Sequence, residues 1–199
     1  MNILSQFSSE GEKLGISELV RAPEYRIAGR LDADSEGLLV LTSFGRLQAY
    51  LTSPKHKSWK YYYVQVEGIV SSEAISSLQA GVQLKDGLTL PAKVRAIEPP
   101  QLWQRTPPVR YRANIPTSWL EIGLQEGRNR QIRRMTANVG YPTLRLVRYQ
   151  CGPFKLGELE PGKYIRVPVP DDLKVYAQPS VKPGVQTRSP HRPYVRRKS

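Results

Sequence analysis

Apolar positions along the chain fall into short groups whose spacing predicts strands and short helices. Within residues 2–7 the fragment ILSQF reads as the end of a strand, and Gly15 to Val20 as a short helix. Leu38 to Leu41 has strand length; Thr42 and Ser43 then cap a helix with Leu47, Tyr50 and Leu51 on one face, which Pro54 ends. WKYYYVQVEG alternates with period two, setting Lys60, Tyr62 and Val64 on one face and Tyr61, Tyr63 and Gln65 on the other. Ser71 or Ser72 caps a helix carrying Ala74, Ile75 and Leu78, which Gly81 stops. VQLKDGLTLPAKVRAIE reads as a hairpin around Asp86-Gly87, and Ser118 to Leu124 as a strand. From Asn129 to Val139 the spacing is helical, with Ile132, Met135 and Val139 buried and Arg130, Arg133 and Arg134 on a neighbouring face. Tyr141 to Tyr149 and Lys163 to Val169 supply two more strands.

A polar loop interrupts this pattern between Tyr25 and Thr42. It carries Arg30, Asp32 and Asp34, with Gly29 and Gly37 at its ends. Glycines there permit turns that a Cβ forbids, so the loop can lie close against a ligand. An ionised carboxylate beside an arginine suits a nucleophile or a base, and equally an ordinary surface pair on a solvated turn.

Composition favours chemistry on a polyanion. Thirty Lys and Arg against 17 Asp and Glu give a net charge of +13, which attracts nucleic acid. No apolar run approaches a membrane span, so no membrane partner is expected. One cysteine, Cys151, and two histidines, His56 and His191, leave neither an internal disulfide nor a zinc set. The first residues lack a signal-peptide pattern, which places the chain in the cytoplasm as an expectation. The Pro-rich connection from Pro99 to Pro116, with Arg105, Arg110 and Arg112, reads as an exposed loop poised to touch phosphates. From about Asp171 the pattern lapses. The expected organisation is one domain over 1–170 and a basic, Pro-rich, disordered tail over 171–199.

GRLDADSEGLLVLTSFG, KYYYV, and LQEGRNRQIRRM followed by GYPTLRLVR, three separated motifs in order, resemble the ribosomal-RNA pseudouridine synthases. KYYYVQVEG, TLPAK, IPTSWL and PTLRLVRY narrow the likeness to large-subunit (23S) members lacking the extra N-terminal RNA-binding domain. The resemblance implies an α+β pseudouridine synthase fold, with a mixed, largely antiparallel sheet in two subdomains and a cleft between them. It implies isomerisation of a uridine in 23S rRNA, in domain V, on free RNA or an assembly intermediate, by a monomer. Asp32 falls on the family's essential aspartate, Arg133 on the arginine that pairs with it, and Tyr62 on the tyrosine that stacks on the base. Arg30, Lys60, Arg128, Arg130 and Arg134 are the implied RNA-binding residues. Because uracil never leaves the site, no cofactor or metal is implied.

The residues leave open whether Asp32 attacks C1′ or removes a ribose proton. Relatives usually begin with a strand ending in Lys-Pro before the segment matching Leu4 to Phe7, so a missing first strand and an exposed sheet edge are expected. Three other readings stand beside the leading one. The first is a non-catalytic rRNA-binding or ribosome-assembly factor that keeps the fold, and the second a synthase for a different rRNA uridine. The third, a glycosidase, needs a second carboxylate across a cleft, and Asp34 and Glu36 lie too near Asp32 in sequence to supply it.

Overall fold

The computed structural model describes residues 3–109, 112 and 114–178. In chain order its strands are β1 (Ile3–Leu4), β2 (Leu14–Gly15), β3 (Arg26–Ile27), β4 (Glu36–Gly37), β5 (Leu41–Thr42), β6 (Lys60–Glu67), β7 (Gln83–Leu84), β8 (Gly87–Leu88), β9 (Lys93–Ile97), β10 (Thr117–Leu124), β11 (Thr143–Cys151) and β12 (Phe154–Lys155). The helices are α1 (Gly45–Thr52), α2 (Ser72–Ala80) and α3 (Gln131–Asn138).

The tyrosine strand is the middle of the structure. β6 pairs antiparallel with β10 on one side and β11 on the other, in a sheet ordered β12-β11-β6-β10-β9. β4 joins β11 in parallel, which makes the sheet mixed. The alternation of β6 holds as expected: Lys60, Val64 and Val66 are buried, while Tyr61, Tyr63 and Gln65 lie half-buried on the opposite face. Apolar side chains at every second position of β6 and β10 then meet helices on one side only. Val64, Val66, Leu120 and Ile122 pack with Leu78 of α2 and with Ile132 and Met135 of α3. Each fully buried Leu, Ile or Val contributes roughly 1.5–3 kcal/mol. A second cluster joins Ala28, Leu38, Leu47, Leu51, Cys151 and Leu173. On the sheet's other face Tyr63 stacks on Tyr149 at 4.1 Å and the Lys93 ammonium sits 4.3 Å over the Trp59 ring.

Several expectations shift. Ile16–Glu18 is a single 3-10 turn rather than a helix over 15–20, because Leu14–Gly15 is drawn into a parallel pair with Ile3–Leu4. The hairpin at Asp86-Gly87 is short, and Lys93–Ile97 leaves it to pair with β10. Helix α3 begins at Gln131, two residues later than Asn129, since Arg130 takes a left-handed backbone with φ 47°. Lys163 to Val169 forms no strand: Tyr164, Ile165 and Val167 are exposed, and their alternation finds no partner among the described residues. The ordered body also runs past residue 170. Asp171–Tyr176 makes 3-10 turns that bury Leu173 in the second core and set Tyr176 4.4 Å from Tyr50. The rest of the expected tail, 179–199, lies outside the described residues, as does Arg110. Among the described residues no helix is long and apolar enough to cross a membrane.

Candidate active site

A cleft of about 480 Å³ opens where the two cores meet, lined by residues 29–33 of the polar loop, by Lys60 and Tyr62 of β6, by Arg148 of β11 and by 126–130 before α3. The loop is shaped by its glycines. Gly29 has φ +87° and Gly37 φ +103°, and a Cβ on Gly37 would run into the Arg148 carbonyl oxygen. Ser5 fixes the residue before Asp32 from both sides, its hydroxyl donating to the Leu31 carbonyl at 2.6 Å and accepting from the Leu31 amide at 2.8 Å. Asp32 itself is half-buried in the cleft. Among the described residues its carboxylate makes no hydrogen bond and no ion pair, so its oxygens are free to meet a ligand.

Tyr62 lies across from Arg148 in strand register, and both line the cleft. Burial pushes the Tyr62 phenol up; Arg148 draws it partly back, and the Asp32 charge adds to the rise. Lys60, also buried, is pushed down by its burial, with Arg148 acting in the same direction. A cation at 60 and another at 148 therefore lie under the floor of the cleft.

The expected partnership of Arg133 with Asp32 is corrected by the geometry. Arg133 Nε lies 3.4 Å from Asp34 Oδ2, and its Nη2 donates to the Asp34 carbonyl at 2.9 Å. Asp34 reaches the helix because the loop turns after Asp32, where the Ser35 amide donates to the Asp32 carbonyl at 2.9 Å. Asp32 remains in electrostatic reach, since its charge raises the Arg133 guanidinium while burial, the larger influence, lowers it. Arg130 also goes to Asp34, through two hydrogen bonds of 3.0 and 2.8 Å. Burial pushes the Asp34 carboxyl up, but the Arg130 hydrogen bonds and the Arg133 and Arg130 charges outweigh it and hold the group below its usual value.

The other basic residues named from sequence divide. Arg30 is exposed at the cleft and makes no ion pair among the described residues. Arg128 is spent inside the fold, pairing with Glu126 at 3.1 Å and donating to the carbonyls of Gly87 and Leu88 at 2.9 and 2.6 Å. Arg134 closes on Asp86 at 2.7 and 3.0 Å, away from the cleft. In the Pro-rich connection, Arg112 pairs with Glu67 at 2.9 Å and Arg105 with Glu36 at 3.3 Å, so neither is poised for phosphate.

A family model described as RNA pseudouridylate synthase matches residues 10–138. The chain belongs to this family. It is 55% identical over 161 residues to ribosomal large subunit pseudouridine synthase E of Vibrio parahaemolyticus, covering 81% of this chain and 68% of that protein. It is 54% identical over 162 residues to the protein of the same name from Xanthomonas axonopodis pv. citri, covering 80% and 85%. Among solved structures, a crystal structure of a pseudouridylate synthase superposes with a TM-score of 0.68 at 27% identity, covering 83% of this chain and 66% of that one. The pseudouridylate synthase fold thus accounts for the mixed sheet, and most of the cleft lining falls inside the matched segment, with Leu4, Ser5 and Gln6 before it and Leu146 and Arg148 after it.

Three residues that matter to this synthase cleft have roles that their sequence context does not reveal. In sequence Asp34 reads only as a second carboxylate of the polar loop. Glu36 accepts two hydrogen bonds from Arg145 at 3.0 and 2.9 Å and one from the Trp103 indole at 2.8 Å, tying the polar loop to β11 and to the Pro-rich connection. Arg148 is a fully buried arginine in LRLVRY, a run that reads simply as a strand. The one available signal was chemical: a second arginine on the inward face of a central strand needs a reason to be there.

Proposed function

We propose that this chain isomerises a uridine of large-subunit ribosomal RNA to pseudouridine, with the Asp32 carboxylate acting on the ribose. The observation that carries the reading is a carboxylate with no partner among the described residues, on a glycine-bounded loop, sharing one cleft with an aromatic ring and several cations. A stacked base hides its C1′, so the target uridine is flipped into the cleft, where the Tyr62 ring replaces the lost stacking. Asp32 then attacks C1′ or removes a ribose proton, and the bond from C1′ to N1 breaks. The uracil turns while held and C5 joins C1′, displacing the Asp32 carboxylate on the first route or with the proton returned from Asp32 to the ribose on the second; C5 then loses its proton and N1 gains one. Exposed Arg30 favours the phosphates beside the target, a contact that positions the strand without reading its sequence, while buried Lys60 adds positive potential from beneath the cleft. Arg130 is held by Asp34 and reaches phosphate only by exchanging that partner.

The relatives' names specify the large ribosomal subunit, which supports that substrate class for this chain. Within it we place the target in domain V of 23S rRNA, and the enzyme in the cytoplasm as a monomer. The test is incubation of the purified protein with a 23S rRNA fragment, followed by mapping of pseudouridine. One modified uridine, absent with Asp32→Asn, is the expected result. Salt-sensitive binding without any isomerisation would instead establish a non-catalytic rRNA-binding factor.

A further inference from the structure

Arg148 is 2% exposed, at the floor of the cleft, and among the described residues it has no carboxylate partner. A buried guanidinium without a counter-charge is an unfavourable way to fill space, which directs attention to what its donors hold. Nε donates to the Leu38 carbonyl at 2.9 Å and Nη2 to the Gly29 carbonyl at 2.8 Å. These two carbonyls stand where the polar loop leaves the body and where it returns. The backbone of the same residue takes part as well, since the Leu38 amide donates to the Arg148 carbonyl at 2.7 Å. Directly across the sheet, in register, stands Tyr62. One planar fork with fixed donor directions thus spans both ends of the Asp32 loop beside the aromatic ring, a task a lysine's single ammonium cannot share among separated acceptors.

We infer that Arg148 is a positioning residue for the isomerisation: it fixes the Asp32 loop and the Tyr62 ring in one geometry. The inference rests on the proposed activity, because the groups it aligns are the ones assigned there to the ribose and the base. Misplacing a reacting group by about 1 Å lowers rates by roughly 100-fold. Arg30, the exposed cation at the cleft, is left in place by a change at 148, so affinity should be nearly preserved.

The test compares the full chain with Arg148→Lys, which keeps the charge and loses the fork. Single-turnover rate and KM are measured on a 23S rRNA fragment, and amide hydrogen exchange is followed over 29–38 without RNA. The expected result is a rate lowered by about 100-fold with KM within about threefold, together with faster exchange in 29–38. An unchanged rate, a loss confined to KM, or unchanged exchange overturns the inference. Should Arg148→Lys fail to fold, Tyr62→Phe, which removes only the hydroxyl facing the guanidinium, takes its place: a rate loss of about tenfold at constant KM is expected, and full activity overturns the inference. If the wild-type chain modifies no uridine, the proposed function fails by that result alone, while the exchange comparison still judges the hold of Arg148 on the loop.

Discussion

Arg130 and Asp34, 96 residues apart in sequence, form a two-point ion pair across the mouth of the cleft. With Arg133 on the same carboxylate, Asp34 is the acid that docks the polar loop onto the start of α3. This pairing has a pH signature. A carboxyl held below its usual value stabilises the fold fully above its unfolded pKa of 3.8, and the contribution is lost as pH falls through the lower folded value. Asp86 and Glu121 are lowered in the same way, so the Asp34 part is read by difference. Melting temperature followed from about pH 6 to about pH 2.5 should fall less steeply in Asp34→Asn than in the wild type. Parallel curves for the two proteins would remove Asp34 from this role.

Asp32 is expected to behave in the opposite manner. Its carboxylate holds no partner among the described residues, so Asp32→Asn breaks no bond of the fold and should shift the melting temperature little. The same change removes the group assigned to the ribose and should lower the single-turnover rate by at least about 10³-fold. A variant that makes product at the wild-type rate shows that another group does the chemistry.

Tyr62 serves the core and the cleft together. Its ring packs against the larger core cluster while facing the site, so Tyr62→Ala should destabilise by about 2–3 kcal/mol, somewhat below the range for fully buried aromatics. RNA affinity should hold, because phosphate contacts dominate it, whereas the rate should fall steeply. Titration of binding beside single-turnover kinetics separates the two; a parallel loss of affinity and rate would make Tyr62 a general binding residue.

How much of this was legible in the sequence depended on the distance over which each feature is decided. Period two places Tyr62 and Lys60 inward from local information alone, and the glycines at 29 and 37 mark a tight loop for the same reason. The partner of Arg133 is settled by a turn at Asp32 and by a left-handed residue at 130, neither of which leaves a pattern in helical spacing. The alternation KYIRVPV spells a strand, yet a strand exists only where another edge accepts its hydrogen bonds. Likewise Leu173 looked like part of a polar tail, because a single apolar residue gives no period even when it fills a core.

Charge was the least legible property, and it supports the sharpest test. Arg30, Arg128 and Arg134 look alike in sequence, as arginines near the signature motifs of a strongly basic chain. In the fold they do different work. Arg30 faces the cleft without an ion pair among the described residues, Arg134 is closed on Asp86, and Arg128 anchors the β7–β8 hairpin through its carbonyls. A side chain that neutralises a phosphate releases a counterion, so its loss lowers the salt slope of binding by about 1. Arg30→Ala should therefore weaken rRNA binding and flatten its salt dependence by that amount, at an unchanged melting temperature. Arg134→Ala should leave the slope alone and barely move the melting temperature, since it removes only an exposed, solvent-screened pair. Arg128→Ala should also leave the slope alone while destabilising the fold by about 2 kcal/mol, since the buried Glu126 carboxylate loses its charged donor and the hairpin carbonyls lose theirs. Binding measured across a salt series, beside thermal melts of the same three variants, distinguishes these outcomes. A flattened slope for Arg134→Ala or Arg128→Ala would mean that RNA displaces the acid or carbonyl partners seen here, and that the positive surface reaches well beyond the cleft.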